Sequence, residues 1–440
     1  MGMYCGVDLG TTNSLIGRGE VLYSGLVSSS VDVSTKHSSP RDTYGENIVS
    51  SYKVNMTTGT TGELSIKCSS IILKDLAELA SKRCGQEITD LVVSVPAKFS
   101  ITQREAVVKA IEMAGLTFRG LINEPTAAAI YTCRDVKDLV AVYDLGGGTF
   151  DISVVDTRVG NCFVVATDGR VLAGDNFDRA LVEEAWKVCK VKTRFKTPER
   201  TKKLTMAIRK AKEEMQKNGG EDVYVDMSDF GCEQDYVLTL ETYKAIMKRV
   251  FAETVSLTNY IINENLSVSE KPKIVFVGGS TACPYLKEWV CKETGLEAVN
   301  TTVQPDLIVA KGVALYAQML EEGLVDAEVL DVTKRLCVGD DCGRAVPIIE
   351  KNTTIPVEQE KLFSNAVTSR YLEIPLYQGD SILASENELI GTLVYDYGVE
   401  TKAGAGLVMV KIHVDRDGRI KLSGEDILTG MSQQIVLEMR

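Results

Sequence analysis

Two short segments of this chain repeat one another, and together they restrict the fold more than any other feature. Asp8-Leu9-Gly10-Thr11-Thr12 closes an apolar run near the start, and Asp144-Leu145-Gly146-Gly147-Gly148-Thr149 closes another further on. An apolar run stopped by Asp and Gly reads as a buried strand entering a tight turn. Glycine lets the backbone approach an anion, and successive N–H groups of such a turn form an anion-binding concavity. A carboxylate at the strand end can hold Mg²⁺ through the waters that this hard ion retains. The hydroxyls of Thr11, Thr12 and Thr149 add donors. Two such turns facing each other grip a polyphosphate from both sides. A third glycine-rich strand end, Gly278-Gly279-Ser280-Thr281, follows the apolar run Lys273 to Val277. Neither G-x-x-x-x-G-K-[ST] nor G-x-G-x-x-G occurs, so the P-loop and dinucleotide-binding folds lose support.

The surrounding pattern predicts an α/β architecture over residues 1 to about 320. Strands are expected at Met3 to Val7, Leu91 to Val95, Gly120 to Ile122, Leu139 to Asp144 and Phe150 to Asp156, the last two forming a hairpin with a glycine tip. Ser70 to Cys84 carries a helical apolar stripe with Gly85 as its stop, and Thr102 with Glu105 makes a capping box for a helix ending at Gly115. Pro125 suits a first helical turn. Further helices are expected near 178–190, 199–217 and 241–264, from Pro284, and after Pro305. Beyond about residue 325 the texture becomes β-rich, with turn signals between the runs, as in a β-sandwich. Gly323 to Leu330 is the candidate linker.

Composition excludes several classes. The 440 residues suit about three folded units. With 44% hydrophobic and 25% charged residues, usage is that of a globular chain. Forty-nine Lys and Arg against 61 Asp and Glu leave a net charge of −12, which argues against nucleic acid held by a generally basic surface and leaves only a local basic patch open. No apolar run reaches bilayer length, and the N-terminus lacks a basic region followed by an apolar stretch. No membrane insertion and a cytoplasmic location are therefore expected. Eleven cysteines with no C-x-x-C pair indicate neither a disulfide framework nor a zinc site. His37 and His413 lie far apart in sequence, so no Ser–His–Asp set is available.

Several segments carry a family resemblance. GVDLGTTNS (6–14), VPAKFSITQRE (95–105), INEPTAAAI (122–130), YDLGGGTFDISVV (143–155) and VGGSTACP (277–284) resemble, in this order, the nucleotide domain of the heat-shock protein 70 (DnaK-type) chaperones. Asp306 with VAKGVALYA (309–317) is similar to that domain's closing helix. LDVT (330–333), KNTTIP (351–356), LFS (362–364), YQGD (377–380) and HVDRDGRIKLS (413–423) resemble the sandwich that holds extended peptides. The resemblance implies a two-lobed, actin-like ATPase domain over 1–324, with lobe I at about 1–140 plus the closing helix 305–322 and lobe II at about 141–302. A linker at 325–331 and a peptide-binding β-sandwich at 332–440 follow. The implied cofactors are ATP or ADP with Mg²⁺, and K⁺ as a further ion. Gly10 to Asn13 and Gly146 to Thr149 would bind phosphates, with Gly278, Gly279, Ser280, Lys212 and Asp306 completing the nucleotide site. Asp8 and Asp144 would position hydrated Mg²⁺, Glu124 would order the attacking water, and Lys53, in SPRDTYGENIVSSYKVNM, is the candidate phosphate-contacting lysine. Ala366, Leu372 and Ile374 fit a peptide groove. The implied function is an ATP-dependent chaperone for extended apolar segments, working as a monomer, with J-domain and exchange-factor co-chaperones as candidate partners.

The departures from the family matter equally. Ala282 stands where the family has an arginine that packs on adenine, and Arg209, Lys212, Glu213 and Gln216 fall on a glutamate, lysine, arginine and serine pattern of which only the lysine is kept. Losing the guanidinium stack forfeits about 0.5–2 kcal/mol, so weaker or less selective base binding is expected. The linker Ala327-Glu328-Val329-Leu330-Asp331 carries an internal charge, which points to weaker coupling. The loop Asp340-Asp341-Cys342-Gly343 replaces an apolar arch. With the chain ending at Arg440, no helical lid or acidic tail is expected, and peptide should leave faster. An alternative is a weakly catalytic or non-catalytic interaction scaffold, as in ribosome-associated and virus-encoded relatives. A sugar or acid kinase with similar lobes is disfavoured by the sandwich.

Overall fold

The apolar run that opens the chain becomes the strand Tyr4–Leu9 in the middle of the first sheet. It pairs antiparallel with Asn13–Arg18 on one side and parallel with Asp90–Val95 on the other, and Thr117–Asn123 extends the parallel side. The second sheet repeats this plan. Leu139–Leu145 is antiparallel to Phe150–Asp156 and parallel to Lys273–Val277, with Phe163–Arg170 at the edge. In each sheet the central strand has an Asp as its penultimate residue, turns through glycine, and returns beside itself. The computed structural model describes residues 3–40, 47–49, 53, 60–133, 137–158, 162–324, 335–340, 342–350, 353, 355–415 and 420–436. The expected linker at 325–331 and Asp341 lie outside the described residues.

Parallel strands covered on both faces need unbroken apolar sequence, and every residue of Asp90–Val95 is buried. Helices Thr60–Cys84 and Ile101–Met113 pack together beside the first sheet, while Gly174–Val188, Pro198–Lys217, Leu240–Asn265 and Pro284–Thr294 serve the second. A third core joins the sheets. Ala127, Ala128 and Ala129 from helix Glu124–Thr132 and Ile308 and Val313 from helix Ile308–Glu321 pack there with Val92 of one sheet and Val142 and Val275 of the other. Small residues permit this crowding: a Cβ on Gly312 would overlap the Ala127 carbonyl, and one on Gly6 the Val313 carbonyl.

After residue 335 two four-stranded antiparallel sheets form a sandwich. One contains Ala345–Ile349, Leu336–Gly339, Ser369–Gln378 and Glu388–Thr401, and the other Val357–Ser364, Leu407–Val414, Ile420–Asp426 and Ser432–Val436. Along Leu407–Val414 burial alternates strictly, with Val408, Val410, Ile412 and Val414 inward, the period-2 signature of a one-sided sheet. The sandwich core and the core of the first sheet belong to one cluster. Thr102 Oγ1 donates to Glu388 Oε1 at 3.1 Å across that boundary. No helix among the described residues is long and apolar enough to cross a membrane.

Two local expectations need correction. The helix after the Leu91 strand starts at Ile101, capped by Ser100: the Gln103 N–H donates to Ser100 Oγ and the Ser100 N–H to Gln103 Oε1. This capping box, two residues earlier, leaves the Thr102 hydroxyl for Ser100 and Glu388. The first long helix starts at Thr60, not near Ser70. Its serines do not break it, because Ser70 Oγ donates back to the Lys67 carbonyl at 2.8 Å.

Candidate active site

Strand ends determine where the polar groups gather. Asp8 and Asp144 sit at the same point of the two central strands, and Gly278 follows the parallel neighbour of the second. The turns after them line one cleft of about 680 Å³, with Gly10, Thr11, Thr12 and Asn13 on one side and Gly146, Gly147 and Thr149 on the other. Gly148 completes the second turn. The two turns touch, since a Cβ on Gly147 would collide with the Thr12 hydroxyl. The third turn is tied to the second: Ser280 Oγ donates to the Gly146 carbonyl at 2.7 Å. Gly278 has φ +85° and abuts the Leu145 carbonyl, a conformation and a closeness that only glycine accepts.

Carboxylates accumulate in the floor of the cleft. Asp8 accepts a hydrogen bond from Ser94 Oγ at 3.0 Å. Burial, then the nearby Glu124 carboxylate, push its pKa up, with Lys53 opposing. Asp144 is raised well above the usual carboxylate range by burial and by Glu124, Asp151 and Asp8. Glu124 is the first residue of its helix, followed by Pro125, so the chain must place it at the strand end where Thr117–Asn123 stops. Its Oε1 receives a hydrogen bond from Lys53 Nζ at 2.7 Å, and Lys53 is only 4% exposed. Asp306 caps the far side from the turn Pro305–Leu307, where burial raises its pKa. Among the described residues no three His, Cys, Asp or Glu side chains are close enough to chelate an ion directly. The donor set suits a hydrated Mg²⁺ instead, with two half-buried carboxylates and room for the ion's waters.

One wall comes from the helix Pro198–Lys217, which presents Arg209, Lys212, Glu213 and Gln216 at positions three, four and seven apart. Ala282 faces the same end. Arg209, Lys212 and Gln216 are engaged with protein. Asp178, 1% exposed, accepts from Arg209 Nε at 2.7 Å and from Lys212 Nζ. Arg209 Nη2 also reaches Asp175 at 3.0 Å, and Gln216 Nε2 donates to the Tyr243 hydroxyl at 2.8 Å.

Every residue assigned to the nucleotide site from sequence, Gly148 apart, lines this cleft. Ala366, Leu372 and Ile374 lie on the sandwich. Leu372 and Ile374 share one face of Ser369–Gln378, Leu372 half-buried and Ile374 1% exposed in the core, while Ala366 is exposed in the preceding connection. Sequence reasoning missed Asp178, which fixes the wall, and Asp151, paired across the hairpin from Asp144. Burial pushes the Asp151 carboxyl up to about 7 against the pull of Lys98. The second Asp of Asp144-Leu-Gly-Gly-Gly-Thr-Phe-Asp151 was the available signal for it.

Residues 46–440 match the family described as Hsp70 protein. A chaperone protein DnaK of Prochlorococcus marinus is 33% identical over 381 residues, 83% of this chain and 60% of the relative. One of Mycoplasmoides gallisepticum is 30% identical over 486 aligned residues, 99% of this chain and 80% of the relative. One of Gracilaria tenuistipitata var. liui is 32% identical over 385 residues, 84% of this chain and 61% of the relative. The chain thus spans about three fifths of the length of two of these three relatives. By the extent of the family match and the identity to these relatives, the chain belongs to the Hsp70 protein family.

Proposed function

We infer that the chain is an ATP-dependent molecular chaperone. Residues 1–324 would form a two-lobed, actin-like domain that binds and hydrolyses Mg·ATP, and the sandwich at 332–440 would hold an extended apolar peptide. The observation that carries this reading is the meeting of three glycine turns around two half-buried aspartates near the strand ends and the Lys53–Glu124 pair. Backbone N–H groups and hydroxyls of Gly10 to Asn13 and Gly146 to Thr149 would hold the phosphates. Bound Mg²⁺, kept by Asp8 and Asp144 through water, would neutralise phosphate charge. Lys53 would donate to a phosphate oxygen, and Glu124 would orient the water whose oxygen attacks the γ-phosphorus. The bond to the bridging oxygen then breaks, giving ADP, inorganic phosphate and a proton. Such chemistry asks the protein mainly for positioning and charge stabilisation. A peptide would run past Ala366 and Leu372, above the buried Ile374. That the compared relatives carry the name chaperone protein supports this reading over a non-catalytic scaffold.

The test is a single-turnover assay with radiolabelled Mg·ATP, with and without an extended apolar peptide. Hydrolysis that peptide accelerates and EDTA abolishes is the expected outcome. Asp144→Asn should slow turnover by about a hundredfold or more, the range for losing one preorganised electrostatic group, with an unchanged circular dichroism spectrum. An unaltered rate in that variant would refute the site.

A further inference from the structure

Against a net charge of −12 for the whole chain, residues 187–203 hold eight Lys and Arg residues and one carboxylate, Glu199, a local balance of +7. The segment leaves the helix Gly174–Val188, passes through the 3-10 turn Thr193–Phe195, and enters the helix Pro198–Lys217. Its centre is solvent-facing, with Lys192, Arg194 and Lys196 exposed. Two ion pairs stand at its ends, Lys187 with Glu184 at 3.8 Å and Lys203 with Glu199 at 3.5 Å.

The cations are organised on an aromatic floor. The Arg194 and Arg200 guanidinium groups lie 4.9 and 5.0 Å from the Phe195 ring centroid, and the Lys196 ammonium 5.1 Å from the Trp186 ring. Phe195 is itself seated against Gly231, where a Cβ would stand 2.7 Å from its ring. Cations pinned on rings are partly pre-organised, and a planar guanidinium offers its second face to another π system. Carboxylates farther off than a Debye length of about 8 Å are screened from this field, while Asp229 and Glu233, on either side of the Gly231 that seats Phe195, are exposed on the adjoining segment and oppose it locally. The patch is also separate from the cleft: at about 1.5 Å per residue, the start of helix Pro198–Lys217 is roughly 16 Å from Arg209.

We propose that this surface binds a single-stranded nucleic acid. Lys192, Arg194 and Lys196 meet its phosphates, and its bases stack against the Arg194–Phe195–Arg200 group. Alternating phosphates and planar bases match both the charge and the flat guanidinium faces, whereas an acidic polypeptide matches only the charge. The net charge had argued against a generally basic surface, and the patch is the local exception.

The probe is a fluorescein-labelled oligouridylate, followed by anisotropy with the full chain as salt rises from about 50 to about 200 mM. Saturable binding that weakens with salt is expected. The triple variant Lys192→Ala, Arg194→Ala, Lys196→Ala should bind at least about tenfold more weakly, with a log–log salt slope shallower by about 2, since each cation on a single strand contributes about 0.7. Its melting temperature and Mg·ATP affinity should match the parent. Arg194→Lys, which keeps the charge, should weaken binding about threefold at unchanged slope, separating stacking from charge. No saturable binding at the lowest salt, or a triple variant with parental affinity and slope, overturns the proposal. So does complete displacement of the RNA by poly-glutamate at equal charge concentration, which would assign the patch to an acidic polypeptide.

Discussion

Asp178 is the residue on which one wall of the cleft depends. It is 1% exposed, and its two oxygens receive Arg209 and Lys212 from successive turns of the neighbouring helix. A buried carboxylate with two cations is stable only as a set, because removing one member leaves uncompensated charge, typically at about 3–5 kcal/mol. In Asp178→Asn, Arg209 retains Asp175 and part of its solvation, so the cost should fall near the lower end, about 3 kcal/mol, read as a lowered urea midpoint at unchanged slope. Adding Lys212→Met to that background should cost less than the sum of the two single changes, since they share one interaction. Additive losses would mean that the pair does not hold the wall. Asp178 was not legible in the sequence, whereas Gly10, Gly147 and Gly278 were. A glycine turn after an apolar strand announces its chemistry locally. A buried carboxylate is defined by partners 31 and 34 residues away, and no local pattern encodes that pairing.

Among the elements, the helices Glu124–Thr132 and Ile308–Glu321 set the spacing between the two sheets, and Gly312 sets the spacing between the helices. Alanine in place of a helical glycine ordinarily stabilises by about 1 kcal/mol. Here its Cβ would overlap the Ala127 carbonyl, backbone that cannot swing aside. Overpacking of this kind costs about 1–3 kcal/mol or more, so Gly312→Ala should be net destabilising by about 2 kcal/mol and visibly lower the melting temperature. Glu124 begins the displaced helix, so hydrolysis should fall further than nucleotide affinity in single-turnover assays. A variant as stable and active as the parent would show that the helices can separate without cost. Long periodic or unbroken apolar segments were legible at this scale: Asp90–Val95, the Leu139–Leu145 hairpin and the Pro198–Lys217 helix all appear where their patterns indicate. The edge strand Phe163–Arg170 and the short hairpin of Val223–Val225 with Tyr236–Leu238 were not, because their order comes from neighbours rather than from their own sequence. The capping box expected at Thr102 and Glu105 forms instead at Ser100 and Gln103, and the Thr102 hydroxyl is taken up by the tertiary contact with Glu388.

At the scale of the whole molecule, the five residues from Lys98 to Thr102 connect all three parts. They follow the strand Asp90–Val95 of the first sheet, Lys98 reaches the edge strand of the second, and Thr102 reaches Glu388 of the sandwich. Lys98 Nζ donates to Asp168 Oδ1 at 3.2 Å and to the Gly169 carbonyl at 3.0 Å, so it spans the two sheets apart from the helical core that joins them. Its side chain is 37% exposed, and a pair so open to solvent contributes only about 0.2–1 kcal/mol. That is too little to hold the fold together but enough to bias how far the sheets separate around the cleft, since 1 kcal/mol is roughly a fivefold change in an equilibrium. Lys98→Ala should therefore leave the melting temperature within about a degree of the parent, given the large unfolding entropy of a chain this size. It should speed release of a fluorescent ADP analogue about two- to fivefold in stopped-flow displacement, and high salt should speed the parent towards the variant as screening weakens the same pair. Exchanging the charges, Lys98→Asp with Asp168→Lys, should return the rate towards the parent. If release is unchanged in Lys98→Ala, the bridge follows the opening of the sheets rather than resisting it, and the Thr102–Glu388 contact on the same segment would remain as its structural role.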